Sequence, residues 1–224
     1  MNHLFPYIER ALLRPDVRIN EQYEALDEIT QLGMAGLTVA PFWVKKWRRE
    51  MGDNHPASLS AVIGYPFGYG RTEVKQLELE LALKDGASEV EVVLNTSALF
   101  SPTSVWLKIE LVKLVAVAHA QEKPLTVILE SSLLTDDRGD GPRNDGSLLA
   151  RMIKTAADAG ADFLKNATGS IPTPFSLEKA LAFRQLVPSA VGVKIVVDGA
   201  TQAQMEELVG AGVERLTLSD RIGE

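Results

Sequence analysis

Three charged residues stand in segments whose neighbours are apolar and β-branched. Residues 88–95 read Ser-Glu-Val-Glu-Val-Val-Leu-Asn, 162–169 read Asp-Phe-Leu-Lys-Asn-Ala-Thr-Gly, and 191–198 read Val-Gly-Val-Lys-Ile-Val-Val-Asp. Strand side chains alternate between two faces. Glu91 therefore shares a face with Val93 and Asn95, Lys165 with Phe163, and Lys194 with Gly192 and Val196. The opposite faces are the more continuously apolar, so the three charges point away from the main hydrophobic layer. A single buried lysine is as readily a structural ion pair as a reactive group. Two lysines and a carboxylate together are harder to explain that way, because burial costs several kcal/mol per ion unless the charges are paired. A lysine beside a second cation has its proton loosened and becomes a nucleophilic amine, and a nearby carboxylate can carry protons.

The elements that must position these groups alternate along the chain. Strand-like runs cover 8–13, 37–40, 59–65, 89–94, 125–130, 162–166, 191–197 and 215–218. Between them lie helix-like runs over 20–32, 41–51, 73–85, 102–121, 147–159, 177–186 and 202–209. Such alternation predicts a parallel α/β fold. The phrases Asp-Gly-Ala-Ser (85–88), Ala-Gly-Ala-Asp (159–162) and Ala-Gly-Val-Glu (211–214) each end a helix on glycine and lead at once into a strand. Eight such units, with neither Gly-x-Gly-x-x-Gly nor a Walker loop, favour a closed (β/α)₈ TIM barrel over an open nucleotide-binding sheet. The expectation is a single domain over 1–224 lacking a full closing helix after strand eight. The amino-terminal segment or a second copy of the chain would cover that side.

Composition narrows the chemistry further. The 224 residues carry 23 basic and 30 acidic side chains, a net charge of −7 that argues against nucleic-acid and acidic-membrane binding. Cysteine is absent, which removes disulfides, thiolate metal sites and cysteine nucleophiles. No apolar run approaches the ~20 residues of a membrane helix, and no secretory leader is visible, so a cytoplasmic protein is expected. His3, His55 and His119 lack ligand spacing, so no metal is expected. The acidic, glycine-bearing stretch around Asp136, Asp137, Asp140 and Asp145 reads as a solvated loop. Trp43, Trp47 and Trp106 read as helix packing residues.

Several segments resemble the deoxyribose-phosphate aldolase family, the class I aldolases that form a Schiff base on lysine. Ile63-Gly-Tyr-Pro-Phe-Gly-Tyr-Gly-Arg-Thr-Glu-Val-Lys75 is similar to the family's Gly-Phe-Pro-x-Gly-x-x-x-Thr-x-x-Lys turn. Leu12-Leu-Arg-Pro-Asp16 resembles its Leu-Leu-Lys-Pro-Asp opening, and Ile128 to Asp136 resembles the end of its fifth strand. Phe163-Leu-Lys-Asn-Ala-Thr-Gly169 is similar to its Phe-x-Lys-Thr-Ser-Thr-Gly, and Val191-Gly-Val-Lys194 to the segment bearing its second lysine. The departures are as specific. The family's catalytic aspartate is Glu91 here, and its Asp-His before Leu-Leu is Glu9-Arg10. Its Ser-Gly-Gly after the second lysine reads Val196-Val197-Asp198, and its paired serines after strand eight read Ser219-Asp220.

The resemblance implies a reversible Schiff-base aldolase cleaving 2-deoxyribose 5-phosphate or a related sugar. It implies Lys165 as the imine-forming lysine, Lys194 as its cationic partner and Glu91 as the proton carrier. Asn95, Thr168, Gly169, Asp198, Ser219 and Asp220 are expected around the substrate. Lysine supplies the electron sink, so neither metal nor organic cofactor is required. The partner is a small aldehyde or sugar. A Schiff-base lyase on a non-phosphorylated substrate, or a non-catalytic metabolite-binding barrel, stands as the alternative. The departures after strands seven and eight favour poor handling of phosphorylated sugars. The 131–146 segment, with Gly139, Gly141 and Gly146, is expected at the mouth as a lid or a plain surface loop.

Overall fold

The computed structural model describes residues 1–99, 105–134 and 147–219. Eight parallel strands close into a barrel in chain order. They are β1 (Ile8–Leu12), β2 (Gly36–Val39), β3 (Ser58–Ile63), β4 (Glu89–Val93), β5 (Leu125–Ile128), β6 (Phe163–Lys165), β7 (Gly192–Val196) and β8 (Arg215–Leu218). Closure is by direct pairing of β8 with β1, in a register that sets Glu9 beside Thr217. Outer helices connect successive strands: α1 (Ile19–Leu32), α2 (Val44–Met51), α3 (Thr72–Lys84), α4 (Thr96–Leu99), α5 (Val105–His119), α6 (Ser131–Leu134), α7 (Ser147–Asp158), α8 (Leu177–Leu186) and α9 (Gln202–Gly210).

The two faces of the barrel wall differ in chemistry. Leu37, Leu59, Val90, Val92, Val127, Leu164, Val193 and Ile195 all belong to the principal hydrophobic cluster, which also takes in the helices. The alternate positions include Glu9, Thr38, Ser60, Glu89, Glu91, Thr126, Lys165, Lys194 and Thr217, all buried. A separate small cluster of Val62, Val93 and Ile128, with Leu13 and Tyr65 against it, adds apolar side chains to that inner face. The helix-covered side thus carries the hydrophobic driving force. The barrel interior is left to polar groups that must satisfy one another.

Two glycines shape the interior. A Cβ at Gly192 would meet the Phe163 ring at 2.3 Å, so glycine on β7 makes room for that ring beneath the lysines. Gly68, at φ 68°, lies so close to the end of β4 that a Cβ would meet the carbonyl oxygens of Val93 and Leu94 at 2.5 Å. Lys75 secures the same strand end. Its Nζ donates to the Val93 carbonyl at 2.9 Å and to Glu110 on α5 at 2.7 Å. The strand that carries Glu91 is therefore tied to both α3 and α5.

Trp47 is fully buried and donates its indole N–H to Gln22 at 2.7 Å, as expected of a packing residue. Trp106 is not one, because it is 66% exposed on the outer face of α5. The amino-terminal turn buries Leu4 and Phe5, and His3 reaches Glu206 on α9 at 3.2 Å. That segment thus packs beside the last helix. No helix among the described residues is long and apolar enough to cross a membrane.

Candidate active site

Lys165 ends β6, and its register partner on β7 is Lys194. Between them and β4 lies Glu91. Its Oε2 accepts from Lys165 Nζ at 2.9 Å and its Oε1 from Lys194 Nζ at 2.9 Å. One carboxylate thus bridges both lysines. Two further carboxylates complete the cluster. Glu9 on β1 accepts from Lys194 at 3.1 Å and from Lys165 at 3.4 Å, and Glu89 accepts from Lys194 at 2.8 Å. The Thr217 hydroxyl donates to Glu9 at 2.7 Å, and the Ser60 hydroxyl donates to Glu89. All five charged groups are buried.

Three carboxylates against two ammonium groups leave this layer with a formal charge of −1. Burial raises the Glu9 carboxyl, but Lys194, Lys165 and the Thr217 hydroxyl outweigh it and bring the pKa down to about 2. Burial pulls Lys194 down, but Glu89, Glu9 and Glu91 raise it well above the ordinary lysine value. Lys194 is therefore a fixed cation. Lys165 contacts Glu91 and Glu9 directly and is the register partner of Lys194. Oxygens of Glu9, Glu89 and Glu91 lie within 4.8 Å of one another, donors of the kind a hard divalent cation takes. Here those oxygens face the two lysines.

The expected substrate residues divide. Asp198, Ser219 and Gly169 come together: Asp198 Oδ1 accepts from the Ser219 backbone N–H at 2.7 Å, and a Cβ on Gly169 would lie 3.4 Å from Ser219 Oγ. Thr168 is buried, and it donates its hydroxyl at 2.5 Å and its backbone N–H at 3.0 Å to Glu130. Asn95 stands just after β4, at the start of α4. Its Oδ1 accepts from Ser97 N, Ser97 Oγ and Ala98 N, so that oxygen caps α4. Asp220 and most of the proposed lid, 135–146, lie outside the described residues. A cavity of about 670 Å³ opens along the β6–β7 side of the mouth, lined there by Ser131, Asn166, Gly169, Val196 and Asp198.

Glu9 and Glu89 are the members that sequence reasoning passed over. Glu89 lies two residues before Glu91, and the same alternation puts it on the inner face. Glu9 stands beside Arg10, which faces the opposite way and pairs with Glu28 of α1 at 3.1 Å. That Glu-Arg pair looks like a strand entering solvent, when it is a charge on each side of the wall.

The closed parallel barrel thus encloses two lysines held by three carboxylates. A family model described as the DeoC/LacD family aldolase matches residues 48–213. The chain is 31% identical to deoxyribose-phosphate aldolase 1 of Oceanobacillus iheyensis, over 98% of this chain and 94% of that one. It is 30% identical to the deoxyribose-phosphate aldolase of Thermococcus kodakarensis, over 96% and 92% respectively. A solved structure described as QR15, an aldolase, superposes with a TM-score of 0.83 at 26% identity, covering 98% of this chain and 92% of its own. The chain belongs to the DeoC/LacD family of aldolases, and it is a lyase.

Proposed function

We propose that this aldolase cleaves 2-deoxyribose-type sugars through an imine on Lys165, with Glu91 carrying the protons. The bridging of two buried lysines by Glu91 supports this most directly. Lys165 passes a proton to Glu91 Oε2, and the free amine attacks the aldehyde carbon. Glu91 returns the proton to the carbinolamine hydroxyl, which leaves as water. The resulting iminium carries the positive charge that the ammonium had, so its pairing with Glu91 persists through the step. The bond between the α and β carbons then breaks: its electrons form the enamine double bond as the C=N pair moves to nitrogen, Glu91, a carboxylate again, takes the proton of the β-hydroxyl, and the β carbon departs as an aldehyde. Glu91 then gives that proton to the enamine α carbon, and water adds to the iminium so formed, releasing the second aldehyde and Lys165. Lys194 keeps one ammonium in the layer throughout.

The relatives are named for a phosphorylated sugar, yet the corner after β7 and β8 favours an uncharged one. The backbone N–H of Ser219, just after β8, is already taken by the Asp198 carboxylate. A carboxylate ~5 Å from a phosphate charge costs roughly 3 kcal/mol per pair at an effective dielectric near 20. The wild type is expected to cleave 2-deoxyribose at least as well as 2-deoxyribose 5-phosphate. Asp198→Gly should raise kcat/KM for the phosphorylated sugar by on the order of 10- to 100-fold. A large wild-type preference for the phosphorylated sugar contradicts the reading.

The outer face supports self-association. Val74, Leu77 and Leu81 of α3 and Val105, Trp106, Ile109 and Val112 of α5 are all exposed, on helices that pack side by side. Together they form an exposed apolar patch across two adjacent helices, of the kind that marks an interaction surface. Glu73 and Glu80 sit on α3, and Lys108 and Lys113 on α5. A two-fold contact crossing α3 over the partner's α5 opposes carboxylates to ammoniums. Light scattering should give a homodimer, and Leu77→Glu with Ile109→Glu a folded monomer. A monomeric wild type at tens of micromolar contradicts the contact.

A further inference from the structure

The turn from Ile63 to Lys75 takes no part in the chemistry above. It begins where β3 ends, at Ile63 opposite Val92, and leaves the sheet at Gly64 with φ at 73°. Val93 is thus one residue past the last β3 pairing. On its other side Val93 pairs with Ile128, Ile128 with Lys165, and Lys165 with Lys194. The end of β4 therefore lies in one register row with both lysines, and β4 carries Glu91 two residues earlier.

A buried cation holds that strand end. Lys75 Nζ donates to the Val93 carbonyl at 2.9 Å and to Glu110 Oε1 at 2.7 Å, while the Thr72 hydroxyl donates to Glu110 Oε2 at 3.0 Å. Lys75 and Glu110 are both buried. The turn is shaped around the lysine. A Cβ at Gly64 would meet Lys75 Cε at 3.0 Å, and one at Gly68 would crowd the Val93 carbonyl itself. The turn does not depend on Lys75 alone for its place, because the Thr96 backbone N–H donates to the Phe67 carbonyl at 3.1 Å. A buried ion pair is weak evidence for stability, since apolar residues of similar volume often serve as well. What this pair supplies is a fixed carbonyl at the end of the strand that bears Glu91. Glu91 uses one oxygen for each lysine, both at 2.9 Å, so a displacement of β4 lengthens at least one of those contacts. A misplacement of about 1 Å costs on the order of 10²-fold in rate.

We propose that Lys75, held by Glu110 and Thr72, is a positioning residue that sets Glu91 against both lysines by fixing the Val93 carbonyl. The proposal rests on the reading of Glu91 as the proton carrier for Lys165. It gives the Gly-rich turn after β3 a task in the reaction, although no side chain of that turn contacts Lys165, Lys194 or Glu91 through any hydrogen bond described above.

The test compares Lys75→Met and Lys75→Met with Glu110→Met against the wild type. The readouts are kcat and KM for 2-deoxyribose cleavage, the rate of borohydride trapping with acetaldehyde, and the melting temperature. Lys75→Met leaves Glu110 buried without its cation and should melt below the wild type. The double variant removes both charges and should melt closer to it. Both should nevertheless lose on the order of 10- to 100-fold in kcat, with KM within about twofold, and both should trap more slowly with the adduct still on Lys165. In a Glu91→Gln background the double substitution should cost less than about twofold more, because the group it positions no longer moves protons. An unchanged kcat, a kcat that recovers with the melting temperature, a loss of equal size in both backgrounds, or a double variant that does not fold would each overturn the proposal. A wild type that fails to trap at Lys165, or a fully active Glu91→Gln protein, overturns the reading beneath it instead. Lys75 is intact in those two proteins, so the failures are distinguishable.

Discussion

Replacing Lys165 is expected to abolish cleavage. Lys165→Ala should lower kcat/KM by on the order of 10⁴-fold or more, the scale reached when the nucleophile of a covalent mechanism is removed. The alanine variant also leaves Glu91 and Glu9 facing only Lys194. Breaking a buried pair costs on the order of 3–5 kcal/mol, so a lower melting temperature should accompany the lost activity. Lys165→Arg separates the two effects. It keeps the charge beside Glu91 but cannot form the imine, so it should melt closer to the wild type and remain inactive. Substantial turnover in Lys165→Arg would refute imine chemistry at this residue.

Glu91→Gln is expected to cost on the order of 10²–10⁴ in kcat, the usual range for a group that moves protons. The amide keeps the shape of the bridge between the lysines, which contact Glu91 at 2.9 Å on either side. It cannot take a proton from Lys165, so imine formation itself should slow. The signature is a slower rate of trapping with an adduct still on Lys165. Glu91→Asp draws the carboxylate back by about one bond length from both lysines. It should retain more activity than the glutamine variant, since it can still exchange protons. A fully active Glu91→Gln protein would remove this residue from the mechanism.

Much of this site is legible in the strand pattern. A period of two assigns Glu91, Lys165 and Lys194 to one face, and the apolar continuity of Val90, Val92, Leu164, Val193 and Ile195 says which face is covered by helices. Glycines at helix ends mark the repeat that closes into eight strands. What the pattern hides are contacts made across the barrel. Thr217 and Glu9 stand 208 positions apart and meet only because β8 pairs with β1. Alternation puts Glu89 on the inner face, but only the barrel shows that Ser60 and Lys194 hold it there. Alternation puts Asn95 on the Glu91 face, and it cannot foresee that the side-chain oxygen also caps the first turn of α4. Trp106 shows the opposite failure. A large apolar residue on a helix suggests packing within the chain, and composition cannot tell that face from one available to another copy.

The imine is most directly tested by reducing the protein with borohydride in the presence of acetaldehyde and mapping the modified peptide by mass. Attack by Lys165 predicts a single ethyl-lysine at Lys165, absent from Lys165→Arg and unaltered in position in Glu91→Gln. An adduct on Lys194 or on a surface lysine, or none at all, would contradict it.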